Sequence, residues 1–349
     1  MPEIFPFKAT RPSRETVSLV NSRNYESYNQ GELELNLKCN PFSFLHIVNP
    51  GYKSDEKLVG KQRFQPVRRK FEEFKQEHIL KRDAKAAFYI HQIIYKNKQQ
   101  FTGIIGACHA EDYLTDKIKK HEKTMQSRVK LFTDYLDTVR FNADPVLISH
   151  EKSKHLNRLI AEKMKCRPEY EFATASQEIH YLWVVDDEKD QKQIQHCFTN
   201  MKSLYIADGH HRIASSVKLA VSAKKEAKTY TGKEDFNLIM SYFIPEDQLY
   251  IGEFDRLVRD LNGLEKKAFL TRLGEYFTIE NRGEEYYKPQ VSHQFSMYLD
   301  SEFYLLHLKK RKLSSDNALD EVNSHILHKF ILKPILGIEQ ETNNNRIKH

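Results

Sequence analysis

Short apolar runs rich in β-branched and aromatic residues alternate along this chain with stretches in which apolar residues recur every three or four positions. Runs of the first kind are typical of strands, and stretches of the second kind are typical of amphipathic helices. Because alternating strands and helices usually form one sheet covered by helices, the pattern predicts an α/β fold of mixed α+β character. The predicted strands are FSFLHIV (42–48), AAFYIHQIIY (86–95), FTGIIGAC (101–108), PVLIS (145–149), IHYLWVV (179–185), SLYIA (203–207) and FNLIMSYFI (236–244).

The helical spacing and the polar stretches complete the predicted elements. Polar KKEAKTYTGKED (224–235) has no apolar periodicity, so we expect a mobile loop there. HQFSMYL (293–299) and EFYLLHLK (302–309) resemble the two arms of a hairpin. The predicted amphipathic helices are FEEFKQEHIL (71–80), KIKKHEKTMQSRVKLFTDYL (117–136), SKHLNRLIAEKM (153–164) and KKAFLTRLGEYF (266–277).

Composition limits the classes of function. The net charge is +7, and the Lys and Arg residues are interleaved with 48 acidic residues, which favours small anionic ligands over an extended nucleic-acid surface. The four cysteines are far apart and form no C-x-x-C pair, so a zinc site is disfavoured and reduced thiols are expected. No apolar run approaches the roughly 18 residues of a membrane span, and MPEIFP does not resemble a signal peptide. We therefore expect a soluble, cytoplasmic protein without a membrane partner.

Several common site motifs are missing from the sequence. There is no G-x-x-x-x-G-K-[ST] phosphate loop and no G-x-G-x-x-G dinucleotide motif. HEKT (121–124) begins like a zinc-protease helix, but Met125 stands where the second histidine ligand would be. KKRK (309–312) is better explained as a solvated strand end, because no aromatic-lined basic groove accompanies it. Nucleic acid is therefore not an expected partner.

The stretch LYIADGHHRIASSVKLA (204–220) joins a predicted strand to a predicted helix through a tight turn. The first N–H groups of a helix lack intrachain partners, and together with the helix dipole they favour an anion at that end. Gly209 has no Cβ, so the backbone can approach a ligand closely. The junction therefore predicts an anion-binding site.

The side chains at this junction suit a phosphate group. Arg212 offers a planar fork for phosphate oxygens, and the imidazoles of His210 and His211 can donate further hydrogen bonds. Asp208 either caps the helix or holds a divalent cation that the phosphates would share. The alternative is an ordinary Asp-Gly turn followed by solvated polar residues.

ADGHHR (207–212) resembles the signature of the family called domain of unknown function 1015. Chains of that family usually continue past RIKH, so the resemblance implies a missing C-terminal piece. The likeness covers nearly the whole chain and extends through RNYESYN (23–29), NPFSFLHIVNP (40–50), IKKHEKT (118–124) with Arg128, HYLWVV (180–185), FDRLVRDLNG (254–263) and ILKPILGI (331–338).

The central motif is also similar to that of the ParB/sulfiredoxin-like nucleotide-binding fold. Free serine kinases of that fold carry D-G-H-x-R, which residues 208–212 match. Sulfiredoxins have a reactive cysteine where His210 stands, so sulfinic-acid repair is disfavoured. The resemblance implies an N-terminal α+β segment with the candidate base (1–110), a nucleotide-binding core (111–260) and a C-terminal α+β segment (261–349) that lacks its last piece.

The same resemblance implies nucleotide-dependent phosphoryl transfer on a small hydroxy amino acid, with serine and phosphoserine as the leading pair. The implied cofactors are ATP or ADP and Mg²⁺, with Asp208 as the metal ligand and His210 and His211 among the catalytic groups. Kinase activity, reverse transfer and phosphoserine hydrolysis all stay open, as does the oligomeric state. The competing class is a nucleotide-binding regulatory module of ParB type, although the sequence has no helix-turn-helix with a basic recognition face.

The resemblance places the candidate base at Glu26, with Arg23 as a phosphate contact. The family often reads R-P-Y-D-V there, so Glu26 moves the carboxylate outward by about one C–C bond, and errors of about 1 Å are costly in catalysis. An ordinary exposed Glu in a loop is the alternative interpretation.

A second clamp for phosphate or substrate carboxylate is expected from Lys120, His121 and Arg128. On the predicted helix, spacings of three and four residues place His121 and Arg128 on one face with Thr124 and Met125. A salt-bridged surface helix explains the same pattern equally well.

Overall fold

The alternating elements fold into one large mixed sheet covered by helices, which confirms the predicted mixed α/β class. The computed structural model describes residues 1–49, 60–122, 124–250, 252, 254–309, 322–341 and 344–348, and of Glu26 only the backbone. Contacts divide the chain into two compact units, Met1–Tyr250 and Ile251–His349. None of the helices in the described ranges is both long enough and apolar enough to cross a bilayer.

The first unit contains eleven strands among its described residues. Nine of them form one sheet in the order β6-β10-β7-β11-β5-β4-β9-β8, with β1 paired to β5, and β2 and β3 pair separately. The pairs β6–β10 and β7–β11 are parallel, and the other pairs in this unit are antiparallel. The strands are β1 (Ile4–Phe5), β2 (Thr10–Pro12), β3 (Leu80–Arg82), β4 (Phe88–Ile94), β5 (Gln100–His109), β6 (Ile118–Lys119), β7 (Val146–His150), β8 (Tyr170–Ala173), β9 (Ile179–Val185), β10 (Leu204–Asp208) and β11 (Leu238–Pro245).

Helices of the first unit bury an apolar stripe each. Ile213 and Val217 of α9 are buried in the same cluster as Ile148 and Phe243 of the sheet, because apolar residues four apart share one helix face. This cluster is the main core of the unit. The helices are α1 (Val17–Val20), α2 (Gln30–Cys39), α3 (Leu45–Val48), α4 (Gln65–Gln76), α5 (Ala110–Leu114), α6 (Gln126–Val139), α7 (Lys154–Met164), α8 (Glu188–Thr199) and α9 (His210–Glu226), with 3₁₀ turns at Tyr25–Ser27, Gly60–Phe64, Asp235–Asn237 and Glu246–Gln248.

The second unit has its own core and its own small sheet. Strands β13, β15 and β14 pair antiparallel in that order, so the predicted hairpin is confirmed as β14–β15. Leu273, Leu306 and Ile326 are buried together in one cluster. The elements are β12 (Leu257–Val258), α10 (Lys266–Leu273), β13 (Phe277–Gly283), β14 (Gln294–Leu299), β15 (Glu302–Leu308), α11 (Asn323–Leu327), a π-helical turn (His328–Leu332) and β16 (Ile347–Lys348).

The predicted strand FSFLHIV (42–48) is wrong, because the chain forms the short helix α3 there. Polar side chains initiate the turn. The Asn40 side chain accepts a hydrogen bond from the N–H of Phe42, and the Ser43 hydroxyl accepts one from the N–H of Leu45. Such local side-chain bonds compete with sheet pairing, while Leu45 and Ile47 still reach apolar surroundings. The other six predicted strands are confirmed as β4, β5, β7, β9, β10 and β11.

The predicted helix over 117–136 is wrong in its first half, because α6 begins only at Gln126. Ile118–Lys119 instead forms β6, which pairs in parallel with Leu204 and Tyr205 of β10. Ile118 is fully buried there, and a surface helix would leave it partly in water.

The sequence analysis divided the chain into functional segments at residues 110 and 260, and this division stays a prediction. The large sheet draws β1, β4 and β5 from 1–110 and the remaining strands from 111–260. The boundary between the compact units lies between Tyr250 and Ile251. The KKRK stretch lies outside the described residues apart from Lys309.

Candidate anion-binding site

Gly209 forms the junction between β10 and α9. It adopts a left-handed backbone with φ of +91° and occupies the N-cap position of α9. The conformation favours glycine, and a Cβ at this residue would lie 2.9 Å from Nε of Arg212, so the Arg212 side chain would have to move. In the part of the chain that the structure describes, no side chain caps α9, and its first-turn N–H groups remain available to water or a ligand.

A β-bulge sets the direction in which β10 ends. Ile206 is paired with Ile148 of β7, but the next pair is Asp208 with Leu147, so Ala207 is an extra residue. A bulge bends its strand and redirects the side chains that follow. Because β10 and β7 are antiparallel, the end of β10 lies beside the segment that precedes β7.

The guanidinium of Arg212 is bound inside this junction. Its Nη2 donates a hydrogen bond to Oδ2 of Asp208, and its Nη1 donates to the carbonyl oxygen of Pro145 at 2.9 Å. Oδ2 of Asp144 lies 3.5 Å from Nη1. The sequence prediction of a fork open toward a ligand therefore needs correction, and Asp208 binds Arg212 and does not cap the helix. Two of the five N–H donors of Arg212 are therefore bonded within the junction.

His210 is the first residue of α9, and its side chain is only 4% exposed. Its Nδ1 lies 3.3 Å from Oε2 of Glu122, while its Nε2 is buried without a hydrogen-bond partner among the described residues. The ring of His121 packs against it edge-on, with centroids 4.3 Å apart. Burial lowers the pKa of His210, and His121 lowers it further, although the carboxylates of Glu122 and Asp208 act in the opposite direction. The ring is therefore neutral near pH 7.

His211 has a structural contact. Its Nε2 accepts a hydrogen bond of 3.1 Å from the N–H of Met125, the residue that precedes α6. An accepting Nε2 leaves the ring proton on Nδ1 when the ring is neutral. His211 therefore ties α9 to the start of α6, and only its Nδ1–H can serve a ligand.

The residues predicted as a second clamp have different surroundings. His121 precedes α6 and packs on His210, whereas Arg128 lies exposed on α6 itself. The shared helical face does not exist, because α6 begins only at Gln126, after His121. Arg128 forms no hydrogen bond or ion pair with the described residues, and the ammonium of Lys120 lies over the ring of Tyr113.

The N-terminal candidates have local contacts. The guanidinium of Arg23 lies over the ring of Tyr28, and its Nη2 is 3.4 Å from Oε2 of Glu32. Hydrogen bonding with Tyr28 and the charge of Glu32 raise the pKa of Arg23. Glu26 lies in the Tyr25–Ser27 turn, but its side chain is outside the described residues. The structure shows no contact of Arg23 with residues 208–212.

Two site residues escaped sequence reasoning. Glu122 lies beside the buried His210, and Asp144 lies beside Arg212. Glu122 belongs to the HEKT stretch, but that stretch was predicted to be part of a helix, so its contact with His210 was not expected. Asp144 lies near Arg212 because β7 pairs antiparallel with β10, and no local sequence pattern indicates this pairing.

A shallow depression over α10 of the second unit is lined by Lys266, Lys267, Leu270 and Thr271. It contains none of the predicted site residues. The described residues also contain no group of three or more His, Cys, Asp or Glu side chains arranged for a metal ion.

These features define an α/β protein with a candidate anion site where a strand becomes a helix. The family model described as "Protein of unknown function (DUF1015)" matches residues 4–327, so the chain belongs to this family. The family resemblance predicted from ADGHHR is thereby confirmed. No curated protein and no solved structure matches the chain.

Proposed function

We propose that this protein catalyses nucleotide-dependent phosphoryl transfer on a small hydroxy amino acid, with serine and phosphoserine as the leading pair. The observation that carries the proposal is the start of α9. There Gly209 begins the helix without a capping side chain, and Nε2 of His210, the first helical residue, is buried without a hydrogen-bond partner among the described residues. Free N–H donors at a helix start favour phosphate oxygens. The likeness to ParB/sulfiredoxin-like proteins and free serine kinases adds the substrate class.

Asp208 and Asp144 suit Mg²⁺. Their side chains are 69% and 66% exposed, and both face the guanidinium of Arg212. Mg²⁺ commonly takes one or two carboxylates together with waters and substrate phosphates, so a site of fewer than three protein ligands fits its chemistry. The ion would neutralise phosphate charge. If Asp208 or Asp144 held the ion, its attraction to Arg212 would weaken, and the guanidinium would be better placed to bind phosphate oxygens.

Turnover tests the proposal. Purified protein is incubated with Mg²⁺, with ATP or ADP, and with serine or phosphoserine, and phosphorus NMR follows the nucleotide and the amino acid. We expect interconversion of serine and phosphoserine that depends on nucleotide. Asp208→Asn should lower the rate at least about tenfold, because it removes a metal ligand.

Asp116→Asn is the matched control, since Asp116 is an exposed carboxylate paired with Lys119. Its rate should equal that of the unaltered protein. Nucleotide binding without turnover of either amino acid would contradict the proposal and identify a regulatory module of ParB type. An unchanged melting temperature with every nucleotide would exclude both functions.

A further inference from the structure

We infer that β14 is an interaction surface, on which a second copy of this chain pairs edge to edge through the same strand. The inference is independent of the proposed phosphoryl transfer. β14 (Gln294–Leu299) is an edge strand of the small sheet, and on its outer side no strand of the described residues pairs with it. Unpaired backbone groups at such an edge can bond to the strand of another chain.

The hairpin between β14 and β15 sets the alternation of the hydrogen bonds. Asp300 and Ser301 both have a positive φ, as a two-residue hairpin turn requires. At the other end of the hairpin, the N–H of Leu308 donates to the carbonyl oxygen of His293. Antiparallel strands bond at every second residue, so the odd-numbered residues of β14 are the ones that bond to β15.

The even-numbered residues of β14 therefore turn their backbone groups outward. These residues are Gln294, Ser296 and Tyr298, and their N–H and C=O groups form no hydrogen bond with any described residue. Ser296 lies at the centre of this edge. When two copies meet about a twofold axis at Ser296, Gln294 of each copy lies opposite Tyr298 of the other. Every outward donor then faces an acceptor.

The composition of β14 suits pairing with a copy of itself. The twofold axis places residue 296 opposite the same residue of the other copy, where like charges would repel each other. β14 contains no charged residue, no proline and no glycine. The opposite edge of the sheet, β13, carries Glu280 and Arg282, and its register shifts between Asn281 and Gly283. Charges and bulges keep an edge strand from pairing, and of these two edges only β13 has them.

The side chains of β14 complement each other in the same register. Phe295 and Met297 pack against the core of the second unit but stay partly exposed. Across the axis, Phe295 of one copy lies opposite Met297 of the other, so each covers apolar surface of its partner. On the other face, Tyr298 is 64% exposed and lies 4.9 Å from the ring of Phe303, and Gln294 of the second copy would lie beside it. This complementarity favours a second copy over an unrelated peptide.

Sedimentation equilibrium from about 1 μM to about 1 mM protein tests the pairing. One pair of strands buries less than the roughly 1,200 Å² of a standard interface, so we expect a reversible dimer with a Kd of about 10–100 μM. Ser296→Lys should raise this Kd at least about fivefold, because two lysines then face each other across the axis. Thr278→Lys, at an exposed position of β13 on the same sheet face, should leave it unchanged. A monomer at every concentration, or a dimer that Ser296→Lys does not weaken, would overturn the inference.

Amide hydrogen exchange in the unaltered protein locates the interface without any variant. The amides of Ser296 and Tyr298 should exchange fast in dilute protein and slowly in concentrated protein, because pairing protects them. The amide of Met297, which bonds to β15, should exchange slowly at both concentrations. Protection of Ser296 in dilute protein would show that the chain covers its own edge, and fast exchange at both concentrations would place any dimer contact elsewhere. Either result contradicts pairing through β14.

Discussion

At the scale of single residues, Gly209 is restricted both by its backbone conformation and by a neighbouring side chain. Its φ of +91° lies in the left-handed region, and Arg212 occupies the space beside its missing Cβ. The backbone strain and the steric contact would each lower stability on substitution. A second glycine in the same unit, which has the strain without the contact, distinguishes the two effects.

We predict that Gly209→Ala destabilises the protein by more than the roughly 1–2 kcal/mol of a left-handed alanine. The excess arises because the new Cβ displaces Arg212 from Asp208 and Pro145. Urea unfolding measures the change. Gly232→Ala is the control, since Gly232 has a φ of +83° and no described atom within 4 Å of the point that its Cβ would occupy. Equal losses for both variants would show that the contact with Arg212 adds nothing.

At the scale of elements, β4 and β9 carry a histidine pair in the large sheet. Nε2 of His91 lies 3.1 Å from Nδ1 of His180, and the two rings stack with centroids 5.3 Å apart. Burial, together with the charge of His180, lowers the pKa of His91 to about 4. Burial also lowers the pKa of His180, against the opposite effect of Glu178.

We predict that this pair makes stability depend on pH. Between about pH 4 and pH 6.5 the unfolded chain binds a proton that folded His91 does not, so stability rises with pH across this window. The loss on acidification is up to about 3 kcal/mol. His91→Asn should flatten the dependence in urea unfolding at several pH values. His196→Asn, at an exposed helix position, should retain it.

A partly buried polar network bonds β2 to Asp83 and to residues 169 and 170. Arg11 donates from Nε to Asp83 at 3.0 Å, and from Nη1 to Glu169 at 2.9 Å and to Tyr170 at 2.7 Å. Burial alone would lower the pKa of Arg11, but bonding to Asp83 and Glu169 raises it above its usual value. The partners lie 72 and 158 residues away in sequence, so no local pattern indicates them.

At the scale of the whole molecule, each compact unit has a core of its own. Residues 1–250 contain the large sheet and its covering helices, and Ile251–His349 contains a separate apolar cluster. A unit with its own core can fold alone.

We predict that a chain of residues 1–250 folds without the rest. Circular dichroism and a cooperative urea transition measure this. A chain of residues 1–235 is the control. It lacks β11, which lies between β7 and β5 in the middle of the sheet, and it should not fold. Failure of the 1–250 chain would show that the first unit depends on the second.

Local sequence patterns predicted the helices and strands that bury one face. Alternation and β-branched content predicted β9 at its observed bounds, and the periodicity of SKHLNRLIAEKM predicted α7 to within one residue. The same reasoning failed at 42–48 and 117–125. There, side-chain bonds of Asn40 and Ser43 and the pairing of β6 with β10 outweighed the local preference.

The sequence by itself determined the mixed α/β class, the family and the strand–turn–helix at residues 204–220, because these depend on periodicity and on glycine at one turn. The tertiary structure decided which side chains meet there. Asp144 reaches the junction through the pairing of β7 with β10, and Glu122 reaches it because α6 begins only at Gln126. Contacts between distant residues depend on how the layers pack, and the packing free energy is shared by the whole core.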